Sequence, residues 1–179
     1  MNLAKWILKL AGWKVVVSVP DYPKAVISVA PHTSNWDFVI GELAYASIGR
    51  KAGFLMKESW FFFPLGPILR SLGGIPVPRR RGSSLVDTIV DKFNHTDRMV
   101  LAITPEGTRS LTTEWRHGFL YIAHEAKVPI ILAAIDFKEK TAYMTRTFET
   151  TGDAEADLRA VKDYYRPFTG RHPENFSAE

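Results

Sequence analysis

The stretch Ala25-Val26-Ile27-Ser28-Val29-Ala30-Pro31-His32-Thr33-Ser34-Asn35-Trp36-Asp37 decides how the chain is read. Its first six residues form a short, apolar run of the kind that makes a strand buried on both faces. Pro31 ends that run. Ser34 or Asn35 is then placed to cap a helix carrying Phe38, Val39, Leu43 and Tyr45 and closed by Gly49. Asp37 falls in the first turn of this helix, where a carboxylate meets the positive end of the helix dipole. A buried strand handing over through a polar loop to a capped helix is a unit of α/β architecture.

Working outward, the same alternation continues. Toward the N-terminus, Val15 to Val19 reads as a strand closed by Pro20-Asp21-Tyr22-Pro23. Before it, Leu3, Trp6, Ile7, Leu10 and Trp13 recur at helical spacing with Lys5 and Lys9 on another side. That predicts an amphipathic helix over residues 1–14, suited either to a lipid headgroup layer or to packing on the domain. Toward the C-terminus, Gly53 to Met56 reads as a strand and Ser59 as a cap before Trp60-Phe61-Phe62-Phe63-Pro64. A short helix follows over Ile68 to Leu72, then an extended piece, Gly73 to Pro78, that delivers Arg79-Arg80-Arg81. A helix from Ser83, a strand Met99 to Ile103, a helix around Trp115 to Lys127, strands Val128 to Phe137 and Thr141 to Phe148, and a helix Ala154 to Tyr165 complete the pattern. Residues 171–179 are expected to be loosely held.

The alternation predicts a single α/β domain over residues 1–179, with a mixed, mostly parallel sheet flanked by helices. Ligands gather at the carboxyl ends of strands in such sheets. Three unusual loops stand at these handovers, after Ala30, after Val77 and after Ile103. A chain of 179 residues that is 46% hydrophobic and 12% aromatic has enough apolar surface for a core. The absence of cysteine excludes disulfides, thiolate metal sites and thiol catalysis, and suits a reducing, cytoplasmic setting. A net charge of +4 favours anionic partners. Lys5 and Lys9 interrupt any signal-peptide core, and no stretch reaches the ~18 apolar residues of a spanning helix. The expected location is peripheral, on the inner face of the cell membrane.

His32 and Asp37 are five residues apart, a rotation of about 140° on a regular helix, so both cannot lie in one helix and still meet. With His32 in the loop and Asp37 in the first turn, the carboxylate can accept from one ring nitrogen and leave the other free as a base. The same spacing also fits a capping aspartate beside an incidental histidine. In Thr104-Pro105-Glu106-Gly107-Thr108-Arg109-Ser110, backbone N–H groups freed by the glycine turn, together with the guanidinium, suit a phosphate. A plain turn with a surface arginine is the alternative. Arg79 to Arg81 equally fit a solvated basic loop. Four adjacent aromatics, Trp60 to Phe63, exceed what one helix face can bury, so some should line a groove or face lipid.

Taken together, these segments resemble a known family. His32-Thr33-Ser34-Asn35-Trp36-Asp37 resembles the His-x-x-x-x-Asp motif of the glycerolipid acyltransferases, the group containing 1-acylglycerol-3-phosphate and glycerol-3-phosphate acyltransferases. Gly74-Ile75-Pro76-Val77-Pro78-Arg79, Pro105-Glu106-Gly107-Thr108-Arg109-Ser110 and Val128-Pro129-Ile130 resemble further blocks of that family in the same order, spanning Val26 to Asp136. The resemblance implies transfer of an acyl group from acyl-CoA or acyl carrier protein to the hydroxyl of a lysophosphatidate-like acceptor in phospholipid biosynthesis. The hydroxyl would attack directly, with no Ser or Cys nucleophile. By position, His32 would be the general base and Asp37 would hold its tautomer. Arg79, Glu106 and Arg109 would match acceptor-binding positions, with Gly107 and Thr108 between the last two and Lys57 an addition. The implied partners are a lysophospholipid, a thioester donor and a membrane surface, with no resident cofactor or metal. Pro78 departs from the family pattern, which often has an acidic residue there. With Arg80 and Arg81 following, the arginine that takes the phosphate stays open.

Three rival functions remain. One is acylation of a non-glycerol acceptor, such as a lyso-aminolipid. Another is a non-catalytic basic module that binds anionic membranes or nucleic acid through Lys5, Lys9 and Arg79 to Arg81. No helix-turn-helix, zinc or stacking-platform signature supports nucleic acid. A serine hydrolase would need a Gly-x-Ser-x-Gly element, which is missing.

Overall fold

The computed structural model describes residues 2–77 and 85–179, with only the backbone described for Lys57. Its seven strands are β1 (Lys14–Val17), β2 (Lys24–Ala30), β3 (Gly53–Lys57), β4 (Gly74–Val77), β5 (Met99–Ile103), β6 (Ile130–Asp136) and β7 (Thr141–Phe148). The helices are α1 (Leu3–Leu10), α2 (Asn35–Ser47), α3 (Leu65–Ser71), α4 (Leu85–Asn94), α5 (Gly118–Ala126) and α6 (Ala154–Tyr165). All strands join one sheet in the order β1-β7-β6-β2-β5-β3-β4. Among the described residues only the β6–β7 pair is antiparallel. The mostly parallel α/β sheet expected from the alternation is therefore the fold.

The central strands are buried on both faces, as their unbroken apolar runs require. Because side chains alternate along a strand, β2 and β6 each feed two cores. Val26, Ala30, Ile130, Leu132 and Ala134 pack with Phe93, Phe119, Leu158 and Val161 of α4, α5 and α6. Ala25, Ile27, Ile131, Ala133 and Ile135 pack with Leu8 of α1 and Ile40, Ala44 and Tyr45 of α2. The result is three layers, and each fully buried Ile, Leu or Phe contributes about 1.5–3 kcal/mol.

Several boundaries differ from expectation for local reasons. The helix expected from Trp115 begins at Gly118, because Trp115 is buried in the core and its indole Nε1 donates to Ser177 O across 3.0 Å. Ser59 caps no α-helix. It sits in a single 3-10 turn, Glu58–Trp60, and α3 starts only after Pro64. The C-terminal residues, expected to be loosely held, are instead pinned. Ala178 is buried, Phe176 packs on Trp115, and the Lys162 ammonium bonds the carbonyls of Thr113 and Glu179. The apolar partners come from positions distant in sequence, which a terminal position alone does not reveal.

Helix α1 is docked through Leu8 and through Asn2, whose side chain donates to Ala46 O at the far end of α2. Leu3, Trp6, Ile7 and Leu10 remain exposed. Most of its apolar face is therefore not used to pack on the domain. No helix among the described residues is long and apolar enough to cross a membrane.

Because β2, β3, β4 and β5 run parallel, their carboxyl ends share one edge of the sheet. The N-terminus of α2 starts at that edge. The expectations placed on Arg79, Arg80 and Arg81, and on the side chain of Lys57, lie outside the described residues.

Candidate functional site

The loop after β2 is built around the carboxylate of Asp37. Its Oδ2 accepts the backbone N–H groups of Thr33 at 2.6 Å and Ser34 at 2.7 Å, and Oδ1 accepts the Ser34 hydroxyl at 2.8 Å. Asp37 is the third residue of α2 and Ser34 is its N-cap, so these bonds satisfy amides that the helix cannot pair itself. Asp37 is only 1% exposed. Burial presses it toward the neutral form, but the His32 imidazole and the Ser34 and Thr33 donors outweigh burial and hold the carboxyl below the usual aspartate range. It is therefore a buried anion.

His32 stands in the loop, outside the helix, with Nδ1 at 3.5 Å from Asp37 Oδ2. At that distance the two groups are in contact without a formed hydrogen bond, and Nδ1 is buried without a closer partner. Catalytic hydrogen bonds are commonly long before substrate binds and tighten in the complex. No described residue bonds the other ring nitrogen, Nε2, and His32 lines an open cavity.

A second loop supports the first. Glu106, after β5, accepts the backbone N–H of His32 at 2.8 Å. It is 5% exposed, its other oxygen is buried without a partner, and it does not line the main cavity. Burial, opposed by the His32 N–H bond, pushes its carboxyl up to about 7. The sequence placed Glu106 among acceptor-binding residues. In the structure its carboxyl holds the His32 loop.

Gly107, Thr108 and Arg109 do line the cavity. Gly107 has φ +66°, and a Cβ there would sit 3.1 Å from Arg116 Cγ, so the turn needs glycine. The Arg109 guanidinium bonds Asn35 Oδ1 at the first turn of α2. The loops after β2 and β5 thus meet, and Arg109 stands on the rim that His32 faces.

The cavity has a volume of about 930 Å³ and runs from His32 and Arg109 beneath α2 against the sheet. Its deeper walls are apolar: Ile27 and Val29 from β2, Ala133 and Ile135 from β6, Ala142 and Met144 from β7. Phe38, Leu69 and Leu72 also line it, and Phe38 and Leu72 are partly exposed to solvent. Among the described residues no cluster of three His, Asp or Glu could hold a metal ion.

A family model described as Acyltransferase matches residues 15–136, more than half of the chain. The chain belongs to the acyltransferase family. None of the curated protein sequences gives a significant match. The matched span of this acyltransferase runs from β1 to the end of β6 and takes in both loops of the site.

Beyond that span the acyltransferase adds a buttress that the motifs did not reveal. A Cβ on Gly170 would lie 2.9 Å from Thr33 Cγ2 and Oγ1 and 3.1 Å from Pro31 Cβ. The His172 N–H donates to Thr33 Oγ1 at 3.1 Å, and the Arg171 guanidinium lies 5.5 Å over the Trp36 ring. The hydroxyl of Tyr165 in α6, fully buried, donates to Ser28 O at 2.6 Å, two residues before β2 ends. Thr33 was within the quoted motif without a role assigned, and Asn35 only as a candidate helix cap. Gly170 carried no local signal, because its contact spans more than 130 residues of chain.

Proposed function

We propose that the protein moves a fatty acyl group from an acyl-CoA or acyl carrier protein thioester to the hydroxyl of a lysophosphatidate-like acceptor, with His32 as general base. One observation carries this reading: a histidine backed by a buried carboxylate, its outer nitrogen free, opens on a long apolar cavity with a guanidinium on the rim.

In this mechanism Asp37 holds the Nδ1–H tautomer and stabilises the imidazolium that forms. Nε2 takes the proton of the acceptor hydroxyl as that oxygen attacks the thioester carbonyl. Collapse of the tetrahedral intermediate expels the thiolate, and the proton on His32 returns to it. Arg109 pairs with the phosphate of the acceptor and aligns its hydroxyl, and the apolar walls take the acyl chain. An Arg109 hydrogen bond to Asn35 would fix the cation beside the first turn of α2.

Lipid access falls to the exposed apolar groups. Leu3, Trp6, Ile7 and Leu10 with Lys5 and Lys9 form a helix suited to an anionic headgroup layer, which fits a peripheral location on the inner face of the cell membrane. Trp60, Phe62 and Phe63 are a second exposed apolar group.

The experiment is release of free thiol from hexadecanoyl-CoA by purified protein. The reading expects release only when lysophosphatidate is present. Equal release without an acceptor, or none with it, would contradict it.

A further inference from the structure

Helix α2 forms one wall of the cavity, contributing Asp37, Phe38, Gly41, Glu42, Ala44 and Tyr45. From the helix rise, Glu42 lies about 7.5 Å beyond Asp37 along the axis and Tyr45 about 12 Å beyond it, so the cavity continues past Glu42. The facing walls of β2, β6 and β7 are mostly hydrocarbon there. One residue before, Gly41 faces the sheet: a Cβ on it would stand in ordinary contact, 3.5 Å from Ile135 Cδ1.

Glu42 is half-buried and bonds no described residue. The titratable groups sharing the cavity are His32, Asp37 and Tyr45 on the α2 side, Arg109 from the loop after β5, and Tyr143 from β7. The described lining residues of β2, β3, β5, β6 and α3 add none. In α1, packed on α2, Lys5 and Lys9 are exposed to solvent. Burial alone pushes the Glu42 carboxyl up to about 7.

We propose that Glu42 is the chain-length determinant of this cavity: an acyl tail that ends short of it leaves the carboxyl in water, and one that passes it strips that water away. This rests on the acyl-transfer reading above. Burying a carboxyl without a hydrogen-bond partner is costly, and burying its ionised form is far more so. A long chain therefore seats only against neutral Glu42, and seating is coupled to uptake of a proton where Glu42 is otherwise ionised. A short chain carries no such requirement.

The test compares kcat/KM for hexadecanoyl-CoA and butanoyl-CoA with one lyso-acceptor across the pH range. The ratio of the two cancels any pH dependence of the transfer step itself, which serves both donors. In the wild type this ratio should fall about tenfold per pH unit above about 7. Glu42→Gln should flatten the profile, and Glu42→Leu should raise the long-to-short ratio about tenfold or more at alkaline pH. A wild-type ratio that does not change with pH overturns the inference while leaving acyl transfer intact, and so does a slope that survives in Glu42→Gln. Absence of transfer with every donor overturns the functional reading and this inference with it.

Discussion

The backbone N–H of His32 donates to Oε1 of Glu106 across 2.8 Å, tying the loop after β2 to the loop after β5. Two segments 74 residues apart in sequence are thereby set against each other at one edge of the sheet. The bond fixes the backbone of the candidate base, while Asp37 addresses its ring.

Glu106 has its carboxyl raised to about 7 against an ordinary 4.5, so its ionisation opposes folding. The stability it lends is complete below about 4.5 and is lost as pH rises through about 7. Glu106→Gln keeps an acceptor for the His32 N–H without the charge. Relative to that variant, the wild type should lose about 3 kcal/mol between those two pH values, and the difference should level off above them. Urea denaturation of both proteins along the pH series measures it.

Asp37→Asn should fold but lose roughly 10²–10⁴-fold in kcat, because an amide cannot hold the imidazole tautomer or stabilise its protonated form. Its amide N–H₂ would also face the donors of Thr33 and Ser34. Asp37→Ala should in addition cost about 1–3 kcal/mol or more, since three donors would lose their acceptor. Steady-state kinetics and denaturation of the two variants separate the effects.

Gly170→Ala should impair catalysis without touching the cavity. The new methyl meets Thr33 and Pro31 at 2.9–3.1 Å and must push the His32 loop aside. A stability loss of about 1–3 kcal/mol is expected, with a larger proportional fall in kcat than in substrate affinity. Unchanged kcat in a folded Gly170→Ala protein would show that the buttress is not needed.

Trp6→Ser and Leu10→Ser remove exposed apolar surface from α1 and leave the buried Leu8 in place. Both should weaken sedimentation with anionic phospholipid vesicles, by about tenfold for Trp6, with little change in thermal stability. Raising the salt concentration should weaken wild-type binding as well, through Lys5 and Lys9.

The strands were legible because their apolar runs had the length and alternation of buried β-structure; β5, β7 and α6 match expectation to the residue. The placement of His32 in the loop and Asp37 in the first turn of α2 was legible too, from Pro31, the candidate caps Ser34 and Asn35, and the five-residue spacing. What escaped was whatever depended on distant packing. Trp115 left its expected helix for a core partner near the C-terminus, and residues 171–179 were expected to be loose although Phe176 and Ala178 anchor them. Glu106 could be seen as a carboxylate in a turn, but its burial depends on the whole sheet. Nothing in the sequence singled out Glu42 on α2; only the cavity shows that this side of the helix faces open space.

The central claim is that His32 takes the proton of a bound hydroxyl. Single-turnover transfer from hexadecanoyl-CoA to lysophosphatidate by wild-type protein and His32→Ala tests it most directly. The account predicts that the variant still binds both substrates but forms acylated product at least about 10²-fold more slowly. Transfer at the wild-type rate by a folded His32→Ala protein would contradict it.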